Sequence, residues 1–195
     1  MDVILKNQSP NGVLRLILNR PKARNAFNHD MLQKIRTSFE EAAADPGIRV
    51  VVLSGAGTHF CAGGDIEWMK SVLAASPEQK RVYASDISRM YQAVYALPQP
   101  LVAQVQGGAM GGGLGLVCCA DIVVSDSTTR YALSETRLGI VPAAISPYLV
   151  AAIGSRKASQ LALSGSAIGA ETARNLGLVT HISSTGQADQ ALEEE

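Results

Sequence analysis

Residues 106–115 read Gln106-Gly107-Gly108-Ala109-Met110-Gly111-Gly112-Gly113-Leu114-Gly115, with apolar runs at 101–105 before and 116–120 after. This glycine segment predicts a strand, a tight turn and a helix. Because glycine lacks a Cβ, the backbone can approach another group closely, and a helix starting here would present free N–H groups to a negative oxygen. The alternative is a tight turn packed against a neighbouring strand. The glycine segment alone does not decide between these two interpretations.

A second loop of small residues follows another apolar run. Residues 48–53 are rich in β-branched side chains and predict a buried strand, and residues 54–65 form a loop that contains four glycines. Strands alternate with helices along the chain, which favours an α/β fold with a largely parallel central sheet. In such sheets, ligands bind beyond the carboxyl ends of the strands, where both loops lie. The two loops therefore predict one ligand site.

The other predicted elements follow from hydrophobic spacing and from proline and glycine stops. We expect one domain over residues 1–195, which ends in a polar tail at 183–195. The predicted strands are 3–5, 13–18 and 121–125, and the predicted helices are 30–44, 77–97, 134–139, 143–153, 155–164 and 170–175.

Composition excludes several classes of function. Lys+Arg and Asp+Glu number 17 each, so the chain has no charge excess that would favour nucleic acid or a membrane surface as partner. The three cysteines, Cys61, Cys118 and Cys119, lack CxxC spacing, which favours a reducing compartment and argues against a metal site. The first residues do not have the layout of a signal peptide, so we expect a cytoplasmic protein.

Several loop chemistries fit the residues poorly. No Lys-Ser or Lys-Thr follows the glycines as a phosphate-binding P-loop requires, the dinucleotide fingerprint fits weakly, and a GxSxG nucleophile motif is absent. Cys61 and His59 are a weak candidate pair of nucleophile and base. What remains is a paired-amide site, in which one N–H from each loop holds a carbonyl oxygen as it gains negative charge. Losing one such donor typically costs about 3 kcal/mol of transition-state stabilisation.

The best candidate for proton transfer is Glu135, which lies in an otherwise apolar neighbourhood. Partial burial would raise its pKa toward the working pH, as a general acid or base requires. The alternatives are a carboxylate at a helix start or a surface partner of Arg137. Asp65 is interpreted as the N-cap of a helix that begins near Ile66.

Five motifs occur in an order and spacing that resemble the crotonase superfamily, the enoyl-CoA hydratases and isomerases. They are LNRPKARNA (18–26), FCAGGDI (60–66), VQGGAMGGG (105–113), ADI (120–122) and ETRLGIVP (135–142). The match runs from residue 13 to about residue 179. The resemblance implies a spiral core of ββα turns, a homotrimer or a dimer of trimers, an acyl-CoA substrate, and no cofactor besides the coenzyme A of that substrate.

The resemblance also implies roles for individual residues. The oxyanion donors would be the N–H groups of Gly64 and Gly112, with Glu135 as acid/base. The residues expected to contact the substrate or its CoA are Lys22, Arg24, Ala26, Ala62, Asp65, Ile66 and Gly111. For Lys22 and Arg24, the alternative is that both are solvated surface cations.

The chain departs from the best-known hydratases of this family, which use two glutamates. The position of the first is Gly115, and Ala143 stands where dienoyl isomerases have a further acid. Residues 133–147 look most like hydratases of 3-methylglutaconyl-CoA or isohexenylglutaconyl-CoA. We therefore expect hydration of a branched glutaconyl-type enoyl-CoA. The alternatives are a Δ3,Δ2-enoyl-CoA isomerase with Glu135 as single base, and a CoA-binding or assembly protein without turnover. Relative to the family, the C-terminal helical segment is expected to be short or missing.

Overall fold

This computed structural model describes residues 2–184. Its strands are β1 (Ile4–Gln8), β2 (Val13–Leu18), β3 (Val50–Gly55), β4 (Leu101–Val105), β5 (Gly108–Met110), β6 (Ile122–Asp126), β7 (Arg130–Ala132), β8 (Ile168–Gly169) and β9 (His181–Ser183). Its helices are α1 (His29–Ala44), α2 (Ile66–Ala74), α3 (Pro77–Tyr95), α4 (Gly112–Cys118), α5 (Ser146–Ile153), α6 (Ser155–Ser164) and α7 (Ala170–Leu176). Two short 3₁₀ helices cover Pro21–Ala23 and Glu135–Leu138.

The strands form two sheets. The larger has the order β1-β2-β3-β4-β6-β9; β1 and β2 are antiparallel, and every later pair in it is parallel. The smaller sheet has the order β5-β7-β8. The predicted α/β fold with a largely parallel central sheet is confirmed. Because β3 and β4 are parallel neighbours, their carboxyl ends lie side by side, and so do the loops that follow them.

The core forms where helices pack on one face of the larger sheet. In β2, Leu14, Leu16 and Leu18 are buried and alternate with half-buried residues, as expected for a strand with one face against the core. The buried residues of α1 recur at helical spacing and are Met31, Leu32, Ile35, Ser38, Phe39 and Ala42. α3 packs beside α1 and buries Met90, Tyr91 and Val94.

Three helices begin with a side chain that caps their first N–H groups. Asn28 caps α1, because its side-chain oxygen accepts a hydrogen bond from the Met31 N–H at 2.9 Å. Ser76 and Gln79 form a reciprocal capping box at the start of α3, where Pro77 occupies the first turn. Asp65 caps α2, and its carboxylate accepts from the N–H groups of Glu67 and Trp68. The interpretation of Asp65 as an N-cap is therefore confirmed.

Some boundaries differ from the predictions. The glycine segment contains the short strand β5 between its turn and α4, and three residues are too few to show strand periodicity in a sequence. The helix predicted from residue 143 begins at Ser146, because Pro142 starts a turn in which its carbonyl accepts from the N–H groups of Ile145 and Ser146. Ser183, the first residue of the tail predicted at 183–195, is instead the last residue of β9; residues 185–195 lie outside the described part of the chain.

Candidate active site

The two small-residue loops contact each other along their backbones. We call residues 55–64 and 106–113 the paired loops. Cys61 and Ala109 form an isolated parallel bridge, in which the Cys61 N–H donates to Gly108 O at 3.1 Å and the Met110 N–H donates to Cys61 O at 2.9 Å. The Phe60 N–H donates to Gln106 O at 2.9 Å. The structure therefore brings the two loops together, as their positions after adjacent strands predict.

Glycine makes this close approach geometrically feasible. A Cβ at Gly107, where φ is +64°, would lie 1.9 Å from Thr58 O. A Cβ at Gly113 would lie 2.6 Å from Cys61 O. Both distances are too short for any real Cβ contact, so the backbones occupy the space that side chains would need.

The two N–H groups that are expected to act as oxyanion donors, those of Gly64 and Gly112, have no hydrogen-bond partner within residues 2–184. The N–H of Gly112 belongs to the first residue of α4 and so has no intrahelical acceptor. At Gly64, the flanking groups pair with Phe27, whose N–H donates to Gly63 O at 2.7 Å and whose carbonyl accepts from the Asp65 N–H at 2.8 Å. The Gly64 N–H itself stays unpaired within those residues. A Cβ at Gly63 would lie 3.7 Å from Gly112 N, which places the two loops' donors in one small region.

The Glu135 carboxyl group lies against the start of α4. A Cβ at Gly111 would lie 2.9 Å from Glu135 Oε1, so the missing side chain leaves room for the carboxyl group beside Gly112. Burial raises the pKa of Glu135, although a hydrogen bond from its own backbone acts in the opposite direction. Oε2 is buried and has no hydrogen-bond partner among the described residues. Within that same set, Glu135 and Arg137 form no ion pair, so the structure gives no support to a surface pair.

Two residues that the sequence did not single out fill the space beside Gly115. A Cβ there would lie 2.3 Å from Ile145 Cγ2 and 2.8 Å from the Tyr91 hydroxyl oxygen. No side chain, and no carboxylate, fits at residue 115 without moving one of them. In the sequence, Tyr91 and Ile145 are simply apolar residues of predicted helices, so neither carries a local signal.

The loop that contains Lys22 and Arg24 is tied to the paired loops through Asn25, which the sequence analysis also missed. Asn25 is fully buried with φ of +57°, and its amide donates to Ala56 O at 2.9 Å and His59 O at 2.7 Å. Asparagine tolerates this left-handed backbone better than most residues, which is the one signal that the sequence offered. Lys22 and Arg24 themselves are exposed.

The other residues expected to contact substrate lie around the same region. Ala26 is buried and Ala62 is half-buried, and the Ala62 N–H donates to Arg24 O at 2.9 Å. Ile66 is 70% exposed at the start of α2. The Gly111 N–H donates to Ala132 O at 2.8 Å. Burial alone would raise the pKa of Asp65, but its 2.9 Å pairing with Arg20 and the capping bonds outweigh burial and lower it.

The candidate pair of nucleophile and base is not supported. The thiol of Cys61 is fully buried and donates to Asn25 O at 3.1 Å. Burial raises the pKa of Cys61 to about 12, which keeps the thiol protonated near neutral pH. Among residues 2–184, no group of three His, Cys, Asp or Glu side chains is placed to hold a metal ion. No helix within the same range has the length and hydropathy needed to cross a membrane.

Comparison with known proteins gives consistent matches. Residues 8–194 match the family model described as enoyl-CoA hydratase/isomerase. The 2,3-dehydroadipyl-CoA hydratase of Escherichia coli K12 is 37% identical over 172 residues, 87% of this chain and 65% of that protein. The mevalonyl-coenzyme A hydratase SIDH of Beauveria bassiana is 34% identical over 188 residues, 92% of this chain and 67% of that protein.

Solved structures match over nearly the whole chain. Pseudomonas aeruginosa AtuE superposes with a TM-score of 0.95 at 38% identity, covering 99% of this chain and 75% of that one. An enoyl-CoA hydratase from Shewanella pealeana also gives a TM-score of 0.95, at 30% identity, with 99% and 72% of the two chains covered. The chain spans about two thirds of the length of the curated relatives that it matches.

Proposed function

The chain belongs to the enoyl-CoA hydratase/isomerase family, a family of enzymes, and on that premise we propose that it adds water across the double bond of a 2-enoyl-CoA thioester. One observation carries the proposal. The carboxyl group of Glu135 lies against Gly111, directly beside the unpaired N–H of Gly112. The residues proposed as acid/base and as oxyanion donor therefore lie next to each other at the start of α4.

The paired loops would act on the thioester oxygen. In the proposed reaction, the N–H groups of Gly64 and Gly112 donate to this oxygen and draw electron density from the conjugated double bond. Water then attacks C3, the electron pair moves onto the thioester oxygen, and an enolate forms. Preorganised donors stabilise that charge most effectively where water is excluded.

Glu135 would manage both protons. Its carboxylate takes a proton from the attacking water as the C3–O bond forms, and the resulting carboxylic acid protonates C2 as the enolate collapses. The proton count balances, because Glu135 ends in the form in which it began. One group serving both carbons acts from one side of the substrate, which gives syn addition. The raised pKa of Glu135 suits this exchange, because a general acid/base works best near the ambient pH.

A second candidate is Δ3,Δ2-isomerisation, which the space around Gly115 favours. Ile145 and Tyr91 leave no room for a second carboxylate at residue 115, and isomerisation needs only one base to move a proton from C2 to C4. The two reactions are separated by offering 3-enoyl-CoA and 2-enoyl-CoA in deuterated water. Only hydration yields a stable hydroxyacyl-CoA, whereas isomerisation yields a shifted double bond with deuterium.

For the acyl group, we propose a branched glutaconyl-type chain. The support is the sequence of residues 133–147 alone, because the matched relatives named above specify a dehydroadipyl and a mevalonyl group. The substrate's extra carboxylate would help to place water where a second glutamate is lacking.

For the rest of the substrate, Lys22 and Arg24 would bind the CoA phosphates. The residues that would contact the CoA or the acyl thioester are Ala26, Ala62, Asp65, Ile66 and Gly111. The assembly would be a homotrimer or a dimer of trimers.

The test is an acyl-CoA panel that includes glutaconyl-type thioesters, assayed with wild type, Glu135→Gln and Glu171→Gln. Glu135→Gln is expected to lower kcat about a hundred- to ten-thousandfold, the range for losing a general acid/base. Glu171→Gln changes an exposed glutamate that pairs with Arg174, and it is expected to keep the wild-type rate. Hydration by Glu135→Gln at the wild-type rate would refute the mechanism. Acyl-CoA binding by wild type without any product would favour a non-catalytic protein.

A further inference from the structure

The hydroxyl group of Tyr91 reaches the start of α4 from the middle of the core. Tyr91 is 1% exposed on α3, and its hydroxyl donates to the carbonyl of Gly112 at 2.6 Å. This is the residue whose N–H is a proposed oxyanion donor. The mechanism above leaves this hydrogen bond without a function.

The phenol of Tyr91 fits there because one side of α4 has no side chains. Gly112 and Gly115 are three residues apart and so lie on the same side of the helix. A Cβ at Gly112 would lie 3.0 Å from the Tyr91 hydroxyl oxygen, and one at Gly115 would lie 2.8 Å from it. The proposed chemistry does not require glycine at either position. The absence of both side chains leaves the space that the Tyr91 hydroxyl group occupies.

A run of three glycines needs external restraint to hold an N–H group in a fixed direction. Residues 111–113 have no side chains, and glycine has the widest range of backbone conformations. Before the Gly112 N–H, the chain is fixed by the hydrogen bond from the Gly111 N–H to Ala132 O at 2.8 Å. After it, the chain is fixed by the hydrogen bond from Tyr91 to Gly112 O. The donor group lies between these two attachments.

We propose that Tyr91 is a positioning residue, whose hydroxyl holds the Gly112 carbonyl and so limits rotation about the Gly112 Cα, which keeps the N–H of the preceding peptide unit pointed at the thioester oxygen of the substrate. This assignment rests on the proposed role of Gly112. Burial, followed by the proximity of Cys61, Cys119 and Glu135, holds the pKa of Tyr91 well above its ordinary value. The phenol thus stays protonated near neutral pH and remains a hydrogen-bond donor there.

The experiment compares Tyr91→Phe with Tyr131→Phe. Both tyrosines are buried, and each substitution removes one buried hydroxyl; that of Tyr131 donates to Ser125 Oγ at 2.7 Å. The first readout is kcat against KM with the best acyl-CoA of the panel. The second is the infrared carbonyl stretch of bound butanoyl-CoA labelled with ¹³C at the thioester carbon. This saturated ligand cannot be hydrated, and its stretch moves to lower frequency as N–H donors polarise the carbonyl.

Tyr91→Phe is expected to lower kcat roughly ten- to a hundredfold with KM nearly unchanged, because a displaced donor acts mainly on the transition state. Most of the carbonyl shift should disappear as well. Tyr131→Phe should retain both kcat and the shift. The assignment would be overturned if Tyr91→Phe kept the full carbonyl shift and the wild-type kcat while losing as much stability as Tyr131→Phe. The hydroxyl would then have only a structural role.

Two further outcomes keep the test decisive. If wild type itself shows no carbonyl shift on binding, the oxyanion role of Gly112 fails, and the role of Tyr91 fails with it. If wild type shows the shift and Tyr91→Phe shows it equally, only the Tyr91 assignment fails.

If Tyr91→Phe does not fold, 3-fluorotyrosine can be incorporated at residue 91 instead, because it retains the phenol as a stronger hydrogen-bond donor. A larger carbonyl shift would then support the assignment, and an unchanged shift would refute it.

Discussion

The paired loops and the acid segment, which we define as residues 133–147, hold their proposed functional groups by different means. In the paired loops the groups are backbone N–H donors. They are fixed by backbone hydrogen bonds between the loops, to which the buried residues Phe60 and Cys61 contribute their N–H groups. In the acid segment the group is a side chain on a four-residue 3₁₀ helix, whose last residue, Leu138, is 62% exposed, and Val141 beyond it is 76% exposed. The donors are thus fixed by hydrogen bonds between two loops, whereas the acid is a side chain on a short segment whose backbone hydrogen bonds are local.

The sharpest test of this comparison substitutes one left-handed glycine in each region. Gly107→Ala in the paired loops is expected to lower the free energy of unfolding by about 4 kcal/mol, because its Cβ would collide with Thr58 O. Gly139→Ala in the acid segment has the same backbone strain, at φ of +72°, but nothing within 4 Å of the new Cβ. It should cost about 1 kcal/mol. Urea unfolding measures both, and equal losses would contradict the comparison.

Asn25 offers a side-chain test of the paired loops. Asn25→Ala is expected to cost about 3 kcal/mol, because it leaves Ala56 O and His59 O without their donor in a buried site. It should also raise KM for acyl-CoA, since the loop with Lys22 and Arg24 loses its attachment. Asn19→Ala is the control, because Asn19 makes one exposed hydrogen bond, to Asp2 O. Its cost should stay below about 0.5 kcal/mol, and a similar cost for Asn25→Ala would show that the loop is fixed by its backbone alone.

Gly115, two residues beyond the paired loops, lies against Ile145 of the acid segment. Gly115→Ala is expected to cost about 2 kcal/mol by overpacking, and Ile145→Ala about 3 kcal/mol by leaving a cavity. The double variant should cost less than the sum by roughly 1 to 2 kcal/mol, because the new methyl group occupies part of the vacated space. Additive costs in a denaturant cycle would mean that the two residues are not in direct contact.

The smallest expected effect is a pH dependence of stability in the acid segment. Because burial raises the pKa of Glu135 in the folded protein above its ordinary value of 4.5, the folded state holds a proton that the unfolded state has lost. Wild type therefore loses stability as the pH rises through this window. Glu135→Gln removes that loss, so the two proteins should be equally stable near pH 4 and the variant more stable at pH 7. The gain should be at most about 1 kcal/mol, since solvent screens a half-buried group.

Thermal unfolding of both proteins between pH 4 and pH 8 measures this difference. Glu171→Gln again serves as the control, because its exposed carboxyl should give no comparable change. If Glu135→Gln were more stable than wild type by the same amount at every pH, the difference in stability would come from packing rather than from ionisation.

The sequence predicted those features that depend on residues close together in the chain. The strand and glycine signals around residues 48–65 and 101–115 correctly predicted two loops that meet, and the position of Asp65 before an apolar helix correctly predicted a cap. The short strands β7, β8 and β9 were missed, because two or three residues cannot display a period.

The sequence did not reveal contacts between distant residues. Tyr91 reaches a carbonyl 21 residues away, and Asn25 reaches one 34 residues away. Such pairings depend on how α3 and the loop at residues 20–26 pack against the sheet, which a single sequence does not specify. The roles proposed for Glu135, Gly64 and Gly112 remain predictions that the experiments above address.

The crowded space beside Gly115 also constrains how this protein can diverge. A second carboxylate at residue 115 would require a smaller residue at position 145, a displaced Tyr91 ring, or both, before the new side chain is tolerated. Each of those preparatory changes removes core packing on its own. Selection would therefore have to cross a destabilised intermediate, and the chain is confined to chemistry that one carboxylate can perform. The proposed reaction would thus be preserved by an epistatic barrier in the core as well as by the residues proposed to face the substrate.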